Sequence, residues 1–508
     1  MNNSLATKYF LGMKKVEVVF IPLPAMGHII AAVEMAKLIV ESDDRISASV
    51  LMMKPALDST TTKYTESLTA STLPNRMRVV DLPSLEHTGV HNTSASWMAS
   101  LAEAQKPHVK EFVSKIKAQS ELSPHDSPQL AGFVLDTFVL GMNDLAAEFG
   151  VPWYVFSASG AAFIGSMLYL QALHDEQKAD LPEYKDSDAE LEIPSLVNRL
   201  PAKLLPSMVF KRESLPHFIG AARRLKHARG ILINTFKELE SHAINSLSNG
   251  EIPPVYPLGP IVRCKGNSYD VGSNIINDYT DIMQWLDDQP PCSVVFLCFG
   301  SWGSFSVGQV KEIAYALEQC GHRFLWCLRK PPCKGKIESP SDYVNFQEIL
   351  PEGFLDRSDK IGKVIKWAPQ VEILGHKAVG GFVSHCGWNS TLESILSGVP
   401  MATWPLYGEQ QFNAFEIVIE LGLGVEIKID SGIDIIEGAI GEIVSSDDIK
   451  RGLKLLMENG SEIRKKVKEM SQLSRKALME DGSSYSALTR LIEDVMDNIA
   501  CHDCSLLS

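Results

Sequence analysis

The first half of this 508-residue sequence contains no cysteine, and all nine cysteines lie between Cys264 and Cys504. An odd count without a tight framework excludes a small disulfide-stapled fold and fits free thiols in a reducing compartment. No apolar run reaches the length of a membrane-spanning helix, so no membrane insertion is expected. The opening MNNSLATKYFLGMKK lacks the long apolar core of a secretory signal, which leaves the cytoplasm as the expected location. Positive charge is also scarce. Lys and Arg total 48 against 62 Asp and Glu, a net −14, which argues against nucleic-acid and anionic-membrane partners. Several catalytic signatures are missing: there is no G-x-G-x-x-G, no Walker A sequence and no G-x-S-x-G elbow. His376, His385 and Cys386 do not have zinc spacing, and Cys501-His-Asp-Cys504 has no second pair to complete a site. Asp186-Ser-Asp188 sits within the charged run EYKDSDAELE, which reads as a solvated loop. No metal is expected.

What is present is alternation. Lys15–Pro22, Arg45–Met53, Met77–Leu82, Leu130–Leu135, Val151–Phe156 and Gly230–Asn234 read as apolar strands with helical stretches between them. The pattern restarts at Ser293–Phe299 and continues through Arg323–Leu328, Lys363–Lys366, Gly381–Ser384 and Pro400–Trp404. Near-continuous apolar strands alternating with helices predict an α/β protein with parallel sheets buried on both faces. A single core rarely exceeds roughly 250–300 residues, so the length predicts two domains. The expected boundaries are residues 1–263, a polar Gly/Ser/Asn-rich linker at 264–278, and 279–483. An amphipathic last helix is expected at about 484–499. Asp175–Leu215, charged and proline-bearing, reads as loops and short helices walling a pocket of the first domain.

Each half carries one strand, Gly turn and helix: FIPLPAMGHIIAAVEMAKLI, and FVSHCGWNSTLESILSGV. Two facing doubly wound domains would bring both turns to one cleft, because ligands bind beyond the carboxyl ends of such strands. His28 leaves the first strand and Asp136 leaves a later strand of the same sheet. They either pair, the carboxylate fixing the imidazole tautomer for general-base work, or separately cap a turn and a helix. FGSWGSF, Phe299–Phe305, offers Gly300, Ser301 and Gly303 as a turn that backbone amides could present to a phosphate. At His385-Cys386-Gly387-Trp388-Asn389 a strand gives way to a helix, whose N-terminus is an anion site that needs no lysine. Ser390 and Glu393 also match a capping box, S-x-x-E.

The stretch WAPQVEILGHKAVGGFVSHCGWNSTLESILSGVPMATWPLYGEQ, Trp367–Gln410, resembles the signature box of plant secondary-product UDP-glycosyltransferases. The likeness extends from PLPAMGHI near the start, through FGSWGSF, to the final helix. It implies the GT-B fold, two Rossmann-like domains facing across a cleft, with the acceptor on the first and the UDP-sugar on the second. It also implies that the last helix packs back onto the first domain. By this resemblance Trp367 stacks on uracil and Ala368 meets the base through its backbone. Gln370 and Glu393 hold the ribose. His385, Asn389 and Ser390, with the turn at Gly387 and with Ser301, contact the diphosphate. Trp388, Glu409 and Gln410 form the sugar end, His28 is the base and Asp136 its partner.

The reaction implied is inverting transfer to a hydroxyl of a small flavonoid, other phenolic or terpenoid, giving a β-glycoside. It needs no cofactor beyond the UDP-sugar co-substrate. Glutamine at 410 implies UDP-glucose, an amide there both donating to and accepting from sugar hydroxyls. The chain is expected to act as a monomer. The acceptor pocket is expected in loops such as Thr88–Trp97 and Ser157–Gln171. Two rivals stand beside this reading. One is a non-catalytic nucleotide-sugar-binding protein on the same scaffold, against which His28 and Asp136 argue. The other is an NAD-dependent oxidoreductase, against which the missing G-x-G-x-x-G argues.

Overall fold

The computed structural model describes residues 14–54, 64–66, 68, 73–85, 94–123, 126–263, 272–332, 339–430, 434 and 441–505. The chain divides into two units: Met1–Gln171 with Pro216–Arg263 and Ala477–Ser508, and Ala172–Leu215 with Cys264–Lys476.

The first unit is built on seven parallel strands: β1 (Val16–Ile21), β2 (Ile46–Met52), β3 (Met77–Asp81), β4 (Gln129–Asp136), β5 (Trp153–Ser157), β6 (Ile231–Ile233) and β7 (Val255–Pro257). Their order is β3-β2-β1-β4-β5-β6-β7. All six positions of β1, VEVVFI, are buried, as a strand covered on both faces requires. Even Glu17 is inside, matched by the Ser49 hydroxyl and by Arg78. The order reverses direction between β1 and β4, and that switch point opens a crevice at the carboxyl ends of both strands. Helix α1 (Met26–Ser42) follows β1 and α2 (Ala161–Glu176) follows β5. The start of α2 is capped from a distance, the buried Glu240 carboxylate accepting from the N–H groups of Ala161 at 2.9 Å and Ala162 at 2.7 Å.

The second unit repeats the design with β8 (Val294–Cys298), β9 (Arg323–Cys327), β10 (Gly362–Ile365), β11 (Val379–Ser384), β12 (Met401–Thr403) and β13 (Gly424–Glu426). Their order is β10-β9-β8-β11-β12-β13, so the switch point falls between β8 and β11, with Cys298 level with Ser384. Helix α3 (Trp388–Ser397) follows β11 and α4 (Gln410–Phe415) follows β12. The last helix, α5 (Ser483–Ser505), belongs to the first unit. Tyr154 on β5 donates to Asp494 of α5 and accepts from Asn498, each at 2.8 Å, and Arg229 pairs with Asp494. Among the described residues no helix is long and apolar enough to cross a membrane.

Three elements differ from expectation. Helix α1 begins at Met26, inside the stretch expected as a Gly turn, so His28 lies in its first turn. Residues 272–278, expected as linker, are the start of a helix, Gly272–Asp287, while 264–271 fall outside the described residues. Residues 172–215, assigned by chain position to the first domain, cluster with the second unit. The reason is bonding. The Glu420 carboxylate accepts from the N–H groups of Val197 and Asn198, both at 2.8 Å, Ser207 N–H donates to the Gly408 carbonyl, and Lys203 pairs with Asp430.

Candidate active site

The switch point of the first unit holds one polar pair. β1 and β4 run in register to Ile21 beside Leu135, so Asp136 stands at the sheet edge where the chain leaving β1 enters α1. His28 Nδ1 lies 2.7 Å from Asp136 Oδ2, 108 residues away in sequence. Of the two alternatives open from sequence, pairing is the one the fold builds. The Asp136 side chain is fully buried, while His28 keeps 22% of its side-chain surface exposed. Asp136 is also held from behind, because Phe138 N–H donates to its other oxygen, Oδ1, at 3.0 Å. A carboxylate fixed at both oxygens holds the proton of His28 on Nδ1 and leaves Nε2 as the basic nitrogen. The Phe138 ring, partly exposed, sits edge-on to the imidazole at 6.1 Å, and Phe163 and Phe218 continue the aromatic cluster behind it. Local sequence has no signal for this cluster, since Phe218 comes from a helix 80 residues further along than Phe138. Of the two loops expected to line the acceptor pocket, Thr88–Thr93 lie outside the described residues and 157–171 run into α2.

The switch point of the second unit holds the strand-to-helix joint. Cys386 adopts a left-handed backbone, φ 64°, which turns the chain sharply between β11 and α3. The turn is secured by the fully buried Asn413 of α4, which donates from Nδ2 to the Cys386 carbonyl at 2.9 Å. Sequence reasoning missed Asn413, for nothing local links it to a turn 27 residues earlier. His385 is buried between two glycines. A methyl group added at Gly300 would come within 2.5 Å of its Nε2, and one at Gly387 within 2.6 Å. Burial pushes the His385 imidazole down to about 4, so it is neutral at physiological pH. Gly300 has φ 74° and is therefore glycine both for its backbone and for the space His385 takes. Ser301 follows it, exposed beyond the end of β8. Gly303 is close against the Phe299 carbonyl, so its glycine serves the packing of the turn.

The N-cap of α3 is Gly387, which has no side chain to cap with. The capping-box expectation therefore fails. Ser390 is the third residue of the helix and cannot be its N-cap. Instead Gln370 Nε2 donates to Ser390 Oγ at 2.8 Å and to Glu393 Oε2 at 2.6 Å, tying these three predicted residues into one group. A helix start leaves its first N–H groups without acceptors inside the helix, and Asn389, half-buried, lies in that first turn. The indole of Trp388 is buried at the same place. Trp367 and Ala368, both partly exposed, lie just past the end of β10, on the same sheet edge.

Glu409, half-buried, and Gln410, buried, start α4. Gln410 corrects the expectation of a two-way sugar contact. Its Oε1 accepts from Leu406 N–H at 2.9 Å and Tyr407 N–H at 3.1 Å. Two backbone donors identify that atom as the oxygen and take both its lone pairs, so toward a ligand Gln410 can act only as a donor.

Known proteins resemble this chain at the level of family and fold. Residues 281–477 match the family model described as UDP-glucoronosyl and UDP-glucosyl transferase. The chain is 52% identical over 493 residues to UDP-glucose flavonoid 3-O-glucosyltransferase 6 of Fragaria ananassa, covering 95% of this chain and 99% of that one. It is 58% identical over 400 residues to anthocyanidin 3-O-glucosyltransferase 6 of Manihot esculenta, covering 78% of this chain and 98% of that one. Among solved structures it resembles a ugt transferase from Siraitia grosvenorii in complex with UDP, with TM-score 0.81 and 44% identity over 95% of this chain and 100% of that one. It also resembles Medicago truncatula UGT71G1 complexed with UDP-glucose, with TM-score 0.82 and 36% identity over 95% of this chain and 98% of that one.

Proposed function

The chain belongs to the UDP-glucoronosyl and UDP-glucosyl transferase family and is a UDP-glycosyltransferase of GT-B fold; on that premise we propose that it transfers glucose from UDP-glucose to a hydroxyl of a flavonoid, giving a β-glucoside. The observation that carries the catalytic part is the His28–Asp136 pair at 2.7 Å, one member buried and the other reaching solvent. His28 Nε2 takes the proton of the acceptor hydroxyl as its oxygen attacks the anomeric carbon. The bond to UDP breaks on the opposite face, so configuration inverts. Asp136 is the positioning residue, stabilising the imidazolium that forms.

The donor roles fall to the second unit. Trp367 stacks on uracil and the Ala368 backbone meets its edge. Glu393, with Gln370, accepts from the ribose hydroxyls. The start of α3, from Gly387 through Asn389 to Ser390, receives the diphosphate together with Ser301 and His385. The positive end of a helix stabilises the charge of the departing UDP without lysines, which suits a chain of net charge −14. Glu409 accepts from the glucose hydroxyls, Gln410 donates to them, and the buried Trp388 supports that end. No metal enters this scheme, so EDTA should leave turnover unchanged.

An aromatic acceptor is supported by Phe138, whose ring stands beside the base. The relatives named for flavonoid and anthocyanidin 3-O-glucosylation make the 3-hydroxyl the first candidate. The test is to incubate the enzyme with UDP-glucose and a panel of flavonols, anthocyanidins, simple phenols and terpenoid alcohols, with product mass and linkage determined. A flavonoid 3-O-β-glucoside as main product is expected. Preference for a terpenoid alcohol would overturn the acceptor assignment. UDP-glucose bound but never consumed would favour the non-catalytic alternative.

A further inference from the structure

The segment that crosses over to the second unit fastens itself to one place. Ser207 N–H donates to the Gly408 carbonyl at 3.2 Å, and Gly408 (φ 65°) immediately precedes Glu409 and Gln410. The short turn Ala202–Leu204, with Ala202 and Leu204 buried, packs on α4, the helix that Gln410 begins. The Glu420 carboxylate, at the end of the π-helical turn Glu416–Glu420 that continues α4, grips the N–H groups of Val197 and Asn198 at 2.8 Å each. Lys203 pairs with Asp430 at 2.8 Å. The first two ties reach the loop and helix carrying the sugar-end residues, the other two hold the same segment to the chain beyond them, and the segment itself lies outside the signature stretch Trp367–Gln410.

We propose that residues 195–210 are a positioning clamp for the sugar end of the donor site, so that discrimination among UDP-sugars is set partly by a segment from the N-terminal half of the sequence. The proposal rests on the reading that Glu409 and Gln410 contact the sugar. A carboxylate and an amide discriminate between hydroxyl orientations only if their positions are held to a fraction of an ångström. Gln410 Oε1 fixes Leu406 and Tyr407 from inside the loop. The clamp fixes Gly408 from outside. The uridine and ribose residues Trp367, Gln370 and Glu393 lie on other elements, so the clamp acts on the sugar and leaves UDP binding alone.

Ser207→Pro tests this directly. Ser207 is the first residue of a short 3-10 turn, where proline fits, and the preceding Pro206 has ψ 138°, a conformation a following proline tolerates. The variant therefore suits the local backbone and loses the N–H together with the side-chain hydroxyl. Ser207→Ala keeps the N–H and is the conservative comparison. Glu420→Ala releases the other anchor at an exposed contact and provides an independent reading should Ser207→Pro fold poorly. In Ser207→Pro and Glu420→Ala, KM for UDP-glucose is expected to rise, and preference for UDP-glucose over UDP-galactose to fall, each by roughly fivefold, the worth of one hydrogen bond. The inhibition constant for UDP and KM for the acceptor should stay at wild-type values, and Ser207→Ala should match wild type. Unchanged donor preference in both clamp variants would overturn the proposal, as would a parallel loss of UDP affinity, which marks general damage. Glu409→Ala separates the two levels. If it loses donor preference while the clamp variants keep it, the sugar-site reading stands and the clamp falls. If Glu409→Ala also keeps full preference, the sugar-site reading itself falls.

Discussion

Replacing Asp136 by asparagine leaves the size of the side chain unchanged and reverses the protonation of the base. The structure says why. Phe138 N–H points at Oδ1, and a backbone N–H can only donate. Asparagine must therefore place its amide oxygen there and its NH2 toward His28, where Oδ2 stands 2.7 Å from Nδ1 in the native pair. Facing a donor, Nδ1 becomes the acceptor, and the single proton of the neutral imidazole moves to Nε2. The nitrogen meant to take the acceptor's proton already carries one. General-base catalysis is worth about 10²–10⁴ in rate, so turnover should fall by about a thousandfold, near 4 kcal/mol of transition-state stabilisation. The assay is kcat with UDP-glucose and a flavonol, alongside an inhibition constant for UDP, which should not move. A phenol acidic enough to be ionised at the assay pH needs no base, and its rate should fall at least tenfold less. His28→Ala with Asp136→Asn should be no slower than His28→Ala alone, since the two residues act as a unit. An Asp136→Asn enzyme within about tenfold of wild type on an un-ionised acceptor would refute the tautomer argument.

Gly300→Ala places a Cβ at φ 74° and 2.5 Å from His385 Nε2. The strained backbone and displaced imidazole should together cost about 2 kcal/mol or more, read as a lower Tm and weaker UDP binding by titration calorimetry; wild-type values for both would show that His385 yields freely. Burial lowers His385 from 6.5 to about 4, so between these values the unfolded chain binds the extra proton. That contribution to stability is complete above pH 6.5 and lost as pH falls to about 4, amounting to at most about 3 kcal/mol. His385→Gln should flatten the difference in Tm between pH 7 and pH 4.5, and an unchanged difference would mean that the imidazole is not protected as its burial implies.

The alternation of apolar strands and helices was legible in the sequence because a parallel sheet covered on both faces demands runs such as VEVVFI, and that demand is local. The candidate residues were legible for the same kind of reason. Asp136 sits at a strand end, His28 in the turn-and-helix stretch that follows the first strand, and His385 through Ser390 at a strand-to-helix joint, positions that short windows reveal. Whether His28 and Asp136 meet was not local. It depends on β4 pairing with β1 when β2 and β3 have taken the other side, an order decided by how the whole sheet buries its faces. The same holds for Gly300 and His385, brought together because β8 and β11 are neighbours. Tertiary structure alone decided that Asn413 holds the left-handed Cys386 and that residues 172–215 leave the unit that flanks them in sequence. In both cases backbone N–H or carbonyl groups take part in the ties, and every residue carries these while no residue type announces them.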